Sequence, residues 1–330
     1  MNLAIVGATG LVGSTFLKVL EEKRNIQIDN IYLFASQKSA GKRLFFRENW
    51  HFVEELCEKN IVGKHIDYAL FSAGGTISKQ FAPIFVRYGA KVIDNSSAFR
   101  MEENVPLVVP QVNFDDVKNN TGIISNPNCS TIQCMSPLFC LNELFGLKKV
   151  HFSTYQAVSG SGMKGVEDLK RSIKGENCEF YPHAIYNNCL PHIDSFCESG
   201  FTKEEEKMVN ETKKILHLPN LKVCATCVRV PVFNCHSIVV EAECENTINV
   251  EMFIDKLKSI ENVVVMNDHK NNQYPLATIA TGTDNVFVGR IRKDLFDDKT
   301  VHFFCVADNV RKGAASNAVE ILEKILKSKL

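Results

Sequence analysis

Leu3-Ala4-Ile5-Val6-Gly7-Ala8-Thr9-Gly10-Leu11-Val12-Gly13 is the stretch on which the fold turns. Four consecutive apolar residues suit a parallel strand buried on both faces. Three glycines follow at three-residue spacing. Then Phe16, Leu17, Val19 and Leu20 supply the apolar face of a helix. Strand, glycine turn, helix is the context in which such a motif holds a dinucleotide. Gly7 allows the tight turn, Gly10 lets a pyrophosphate approach backbone N–H groups, and Gly13 lets helix and strand pack closely. The spacing is G-x-x-G-x-x-G rather than G-x-G-x-x-G, and a plain strand–helix turn would share it.

Working outward, residues 31–35 read as a second strand. A chain that binds NAD usually carries an acid near its end to hold the ribose 2′-OH. Residues 36–42 contain no carboxylate, but Ser36, Lys38, Ser39 and Lys42 are present, which suits a 2′-phosphate and favours NADP. A third strand (68–71) ends in Ser72-Ala73-Gly74-Gly75-Thr76, and a fourth (91–94) leads to Arg100. Strands alternating with helices predict a doubly wound parallel sheet, with ligands beyond the carboxyl ends of its strands. The run Ser125-Asn126-Pro127-Asn128-Cys129-Ser130-Thr131 sits at such an end. Asn128 is a good N-cap, which puts Cys129 in the first turn of a helix, where the dipole favours a thiolate. The glycine motif, Gly74-Gly75, Arg100 and Cys129 are therefore expected on one rim.

The bulk properties narrow the classes. The chain has 330 residues, so two domains are the default. Its 38 basic and 38 acidic residues cancel, which argues against nucleic acid or an anionic membrane as partner. No apolar run spans a bilayer and no basic n-region precedes the first strand, so a cytoplasmic location is expected. Twelve irregularly spaced cysteines read as reduced thiols. Cys224-Ala225-Thr226-Cys227 is a lone C-x-x-C with no second pair, so no metal is expected. Beyond Cys129 the texture changes to β runs at 151–158, 221–232, 237–243, 286–292 and 301–306. Helices are expected at 202–216, 250–257 and 311–330, and long loops between 175 and 199. This is an α+β second domain with a mostly antiparallel sheet. Within it, residues 229–236 carry Arg229 and His236 either side of Pro231. A guanidinium in an apolar strand either pairs with an acid or awaits a carboxylate ligand.

These residues, in order and over nearly the whole length, resemble the NADPH-dependent aspartate-β-semialdehyde dehydrogenases. The matching blocks are 7–13, 36–42, 72–76, 94–100, 125–131, 154–162, 204–207, 229–236 and 308–315, and the pair 125–131 with 155–160 is the most specific. The resemblance implies reduction of L-aspartyl-4-phosphate to L-aspartate-4-semialdehyde with release of phosphate, in the route to lysine and diaminopimelate, threonine and methionine. It implies Cys129 as nucleophile, His236 as acid/base and Gln156 as the residue positioning the acyl group. Arg100, Lys207 and Asn128 would grip the phosphate. Arg229 would clamp the substrate α-carboxylate, and Glu204 would meet its amino group. Residues Gly7, Ala8, Thr9, Gly10, Leu11, Val12, Gly13, Ser36, Lys38, Ser39, Ser72, Gly74, Thr76, Ser159, Gly160 and Asn309 would bind NADP. Lys38 stands where the family often has Arg, which keeps the charge and loses the planar fork.

The expected layout is a Rossmann-like cofactor domain (1–128 with 311–330) and a catalytic and dimerisation domain (129–310). A homodimer through the second domain, in some members paired into tetramers, belongs to the same resemblance. Two rivals remain open: an N-acetyl-γ-glutamyl-phosphate reductase, which does the same acyl-phosphate chemistry, and a non-catalytic paralogue acting as a binding module. Residues 176–199 match nothing with an assignable role.

Overall fold

The computed structural model describes residues 1–120 and 122–328, which form two compact units. One comprises Met1–Pro127 with Ala314–Leu330, the other Asn128–Gly313. Compared with the boundaries expected above, the chain enters the second unit at 128 rather than 129 and leaves it after 313 rather than 310. The physical reason is local. Asn128 spends its amide groups on residues 204 and 211, and Gly313 packs its backbone on Cys129.

The first unit contains seven strands: β1 (Asn2–Val6), β2 (Asn30–Ala35), β3 (Arg43–Phe46), β4 (Asn49–Glu55), β5 (Tyr68–Phe71), β6 (Lys91–Asp94) and β7 (Ile123–Ser125). Their spatial order is β3-β4-β2-β1-β5-β6-β7. Every neighbouring pair is parallel except the β3–β4 hairpin. Without β3 the order is that of a doubly wound dinucleotide-binding sheet. Alternation along β1 explains why both faces are covered. Leu3 and Ile5 pack with Phe16, Leu20, Val319 and Leu322, while Ala4 and Val6 pack with Phe34, Phe71 and Phe85.

The β3–β4 hairpin was not foreseen. Its two-residue turn is Arg47-Glu48, both in the left-handed region (φ 45° and 71°). Asn or Gly usually marks such a turn, so the sequence gives no signal there. Gly13 does what its position predicted: a Cβ on it would lie 2.1 Å from the Gly7 carbonyl oxygen.

The second unit is built on a six-stranded sheet: β8 (Leu147–Gln156), β9 (Lys222–Arg229), β10 (His236–Cys244), β11 (Val263–Val265), β12 (Val286–Lys293) and β13 (Thr300–Ala307), in the order β11-β12-β13-β10-β8-β9. The three central pairings are antiparallel; β8–β9 and β11–β12 are parallel. Helices Cys129–Phe145, Lys203–Ile215 and Val250–Lys258 pack on the sheet. The two later helices start where side chains cap them: Thr202 forms a reciprocal capping box with Glu205, and Asn249 accepts from the N–H of Glu251 and Met252. On the opposite sheet face the alternating positions, Tyr155, Val239 and Phe304 among them, are left partly exposed.

The final helix begins later than expected. Arg311–Ala315 is a π turn, the α-helix is Ser316–Ser328, and residues 329–330 lie outside the described residues.

Gly13→Ala is expected to destabilise the first unit by about 1–3 kcal/mol, because the clash is with backbone that cannot rotate away. Calorimetry would show this as a lowered unfolding transition; an unchanged midpoint would contradict the packing described.

Candidate active site

Cys129 is the first residue of the helix Cys129–Phe145, and Asn128 is its N-cap. The Asn128 side-chain oxygen accepts from the N–H of Ser130 at 2.9 Å and Thr131 at 3.4 Å. Its Nδ2 donates to Glu204 Oε1 at 2.9 Å, and its backbone N–H donates to Glu211 Oε2 at 2.6 Å. Three backbone donors at this helix start are thus already committed. Glu204 also accepts from Gln156 Nε2 at 3.2 Å and pairs through Oε2 with Lys207 Nζ at 3.3 Å. Lys207 bonds Asp194 at 2.7 Å as well. Burial pushes the Asp194 carboxyl up, but its bonds to and charge interaction with Lys207 leave it below its ordinary value. Cys129 itself is half-buried and in no disulfide.

A second cluster lies in the same unit. Gln156, at the end of β8, faces Arg229, at the end of β9, in register. Arg229 is buried. Its Nη1 donates to the Ala157 carbonyl at 2.8 Å and its Nε has no partner. His236 opens β10 and is fully buried. Its Nδ1 accepts from the Ala157 N–H at 3.0 Å, and its Nε2 has no partner. Burial, reinforced by the Arg229 charge, pushes its pKa well below the ordinary histidine value, so the ring is neutral. Gly160 separates the two: a Cβ there would lie 2.7 Å from Arg229 Nη1 and 3.1 Å from His236 Nε2.

The approach to His236 is unusual. Cys235 has φ 73°, in the left-handed region. Its N–H donates to Asn309 Oδ1 at 2.9 Å, and Asn309 is bonded in turn to Ser159 Oγ. Gln133, one helical turn after Cys129, donates to the backbone carbonyls of His236 and Cys305.

The first unit carries the other expected residues at the carboxyl ends of its parallel strands. Gly7 (φ 85°) ends β1, and Gly10 precedes the helix Leu11–Glu22 without a capping side chain, so N–H groups are available there for an anion. Ala8 is buried, Leu11 and Val12 are half-buried, and Thr9 reaches Ser39 Oγ at 3.4 Å. Ser36 and the exposed Lys38 belong to the turn after β2. Ser72, Gly74 (φ 87°) and Thr76 lie between β5 and the helix Gly75–Arg87. This strip, with its glycine cradle at the carboxyl ends of the parallel strands, fits a dinucleotide cofactor. Arg100 is buried, with Nε on the Asn126 carbonyl at 3.0 Å and Nη2 on the Asn95 carbonyl at 2.9 Å.

Several residues that hold this arrangement were not anticipated. Glu211 lies seven positions after Glu204, two turns along one helix face, and that spacing was the available signal. Gln133 follows Cys129 by four. Asp194, in the unassigned loop, has no sequence signal. That loop is tied down by Asp168, which accepts from the N–H of Glu179, Phe180 and Tyr181, and by pairing of Leu190 with Arg229. Cys224 and Cys227 sit on β9 with opposite exposure, the first exposed and the second buried, so they do not chelate together. Among the described residues no group of three or more His, Cys, Asp or Glu side chains is arranged to hold a metal ion, and no helix is long and apolar enough to cross a membrane.

Comparison with known proteins places these features in one family. The semialdehyde dehydrogenase NAD-binding domain matches residues 2–120, and the semialdehyde dehydrogenase dimerisation domain matches residues 136–312. The aspartate-semialdehyde dehydrogenase of Aquifex aeolicus is 51% identical over 338 residues, covering 100% of this chain and 99% of its own. That of Bacillus subtilis is 44% identical, covering 100% and 99%. Among solved structures, aspartate semialdehyde dehydrogenase II of Vibrio cholerae complexed with ASA superposes with a TM-score of 0.94 at 39% identity, covering 100% of this chain and 99% of that one. The enzyme with NADP from Candida albicans gives 0.78 at 25% identity, covering 98% of each.

Gly160→Ala is expected to push Arg229 and His236 apart and lower kcat/KM by about 10²-fold, the scale of an ångström-sized misplacement. Steady-state kinetics on the folded variant would check this; wild-type values would mean that the two side chains need not share the space over Gly160.

Proposed function

The chain belongs to the aspartate-semialdehyde dehydrogenase family, and from that premise we propose that it reduces L-aspartyl-4-phosphate to L-aspartate-4-semialdehyde and phosphate through a thioester on Cys129. The observation that carries the reading is a cysteine on the first turn of an Asn-capped helix, in the same unit as a buried arginine and a buried neutral histidine. An acyl phosphate with a charged α-carbon end requires that combination: a nucleophile, a carboxylate clamp and a polar group for the carbonyl oxygen.

In this reading the Cys129 thiolate attacks the acyl carbon and phosphate leaves. Arg229, with unpartnered Nε and a planar fork, binds the substrate α-carboxylate. Glu204 receives the amino group. Gln156, whose amide is held between Glu204 and Thr154, positions the acyl group. Lys207 and Arg100 offset the charge of the departing phosphate. Asn128 caps the helix that carries the nucleophile and, through its side-chain amide, joins Lys207 and Arg100 in the phosphate grip. His236, buried and neutral, serves as the acid/base at the reacting carbonyl. NADP is held by residues 7–13, by Ser36, Lys38 and Ser39 at the 2′-phosphate, and by Ser72, Gly74 and Thr76. Ser159, Gly160 and Asn309 border the nicotinamide end. The dinucleotide, when bound in its reduced form, supplies the hydride.

We also propose a homodimer paired through the second unit, working in the cytoplasm. Nothing in the site favours the N-acetyl-γ-glutamyl substrate or a non-catalytic role.

The direct test is NADP⁺ reduction with L-aspartate-4-semialdehyde, run with and without phosphate and against N-acetylglutamate-5-semialdehyde. Activity is expected with the first aldehyde only and to depend on phosphate. Cys129→Ala should abolish turnover while circular dichroism and NADP binding are retained; an active alanine variant would sink the assignment. Arg229→Lys is expected to lower kcat/KM by about 10²-fold or more, since a point charge replaces a bidentate fork. Unchanged kinetics would make Arg229 structural.

A further inference from the structure

Lys207 stands between two carboxylates of unequal standing. Glu204, on the same helix, accepts from its Nζ at 3.3 Å, and Asp194, in the loop before that helix, accepts at 2.7 Å. Glu204 is not free to yield. Its side chain is 7% exposed, and Asn128 Nδ2 and Gln156 Nε2 share its Oε1. Asp194 is the looser partner. Its side chain is 38% exposed, and its other hydrogen bond is local, from the Ser195 N–H to Oδ1 at 2.8 Å. The backbone beneath it is nevertheless fixed. Leu190 and Arg229 exchange both N–H···O bonds, Ile193 is buried, and the Ser195 carbonyl accepts from the Lys203 N–H at 2.9 Å. Between these anchors Asp194 has φ 67°, in the left-handed region that Asp and Asn enter more readily than most side chains. The loop thus brings one solvent-side anion, and little else, to the ammonium.

We propose that Asp194 sets how tightly phosphate is held: its carboxylate competes with phosphate for Lys207, takes the ammonium back as phosphate departs, and so eases release. The proposal deepens the acyl-phosphate reading above and rests on it. In that reading the substrate amino group meets Glu204 and the phosphate meets Lys207. Asp194 is then the anion from which phosphate must win the ammonium. An ammonium has three donors, so Lys207 can reach phosphate without leaving Glu204. It cannot hold Asp194 and a phosphate dianion side by side without like-charge repulsion between them. Displacing Asp194 costs little, because a part-exposed carboxylate regains water when its ion pair opens. The charge therefore weakens the phosphate complex without disturbing the buried bonds of Glu204. Where product release limits turnover, such weakening keeps the cycle moving.

The test is steady-state kinetics in the oxidative direction, with L-aspartate-4-semialdehyde and NADP⁺ present and phosphate varied. Asp194→Asn keeps an acceptor for the Ser195 N–H, tolerates the left-handed backbone and removes only the charge. It is expected to lower the KM for phosphate by about 3–10-fold, the scale of a part-exposed charge contact acting on a dianion, and to leave the KM values for semialdehyde and NADP⁺ within about twofold of wild type. In the reductive direction phosphate should inhibit this variant at correspondingly lower concentration. The difference from wild type should shrink as ionic strength rises. Asp194→Glu keeps the charge and is expected to restore a KM for phosphate near that of wild type. An Asn variant whose KM for phosphate is unchanged or raised, or a Glu variant lowered as far as Asn, would overturn the proposal while leaving the activity assigned. A wild type without phosphate-dependent NADP⁺ reduction would overturn the functional reading itself.

Discussion

Asn128 is the residue on which the site depends. The first turn of any helix leaves N–H groups without intrahelical partners, and here the residue that satisfies two of them also precedes the nucleophile. Its side-chain oxygen closes the helix start while its two remaining donors reach Glu204 and Glu211 on another helix. Two buried carboxylates would be costly if left alone. Both are hydrogen-bonded, and Glu204 is also paired with Lys207. The geometry of Cys129 is therefore fixed by its neighbours' hydrogen bonds, and the polar groups around it are fixed by the same network.

The fold was largely legible because its signals are local. An apolar strand, a glycine turn and an amphipathic helix define the first βα unit, and small polar residues after each strand mark the ends where a ligand can lie. The helix at 203–215 could be placed from Thr202 before a charged amphipathic run. What could not be read lacked a local signal. Arg47-Glu48 turns a hairpin with two positive-φ residues that normally avoid that region. The loop 176–199 is held by Asp168 through backbone N–H groups, so its order comes from one carboxylate outside it rather than from its own composition.

The site shows a similar division. Residue types and their context pointed to Cys129, Arg229 and His236, and the family resemblance added Gln156; the structure brings Gln156 and Arg229 into register and lays both Arg229 and His236 on one peptide group. Sequence reasoning could not see that this peptide belongs to Ala157, because a backbone donor has no residue type.

Arg229 gives the folded chain a property beyond chemistry. A buried guanidinium whose Nε lacks a partner is an electrostatic debt that the native state carries for as long as no anion reaches it. Any carboxylate that settles there binds the native state and not the unfolded chain, so it raises the unfolding free energy by mass action. With the carboxylate-clamping role proposed for Arg229, the stability of the second unit would be coupled to the supply of that ligand. In a cell, the lifetime of the protein would then track the metabolite it consumes, with no regulatory domain required.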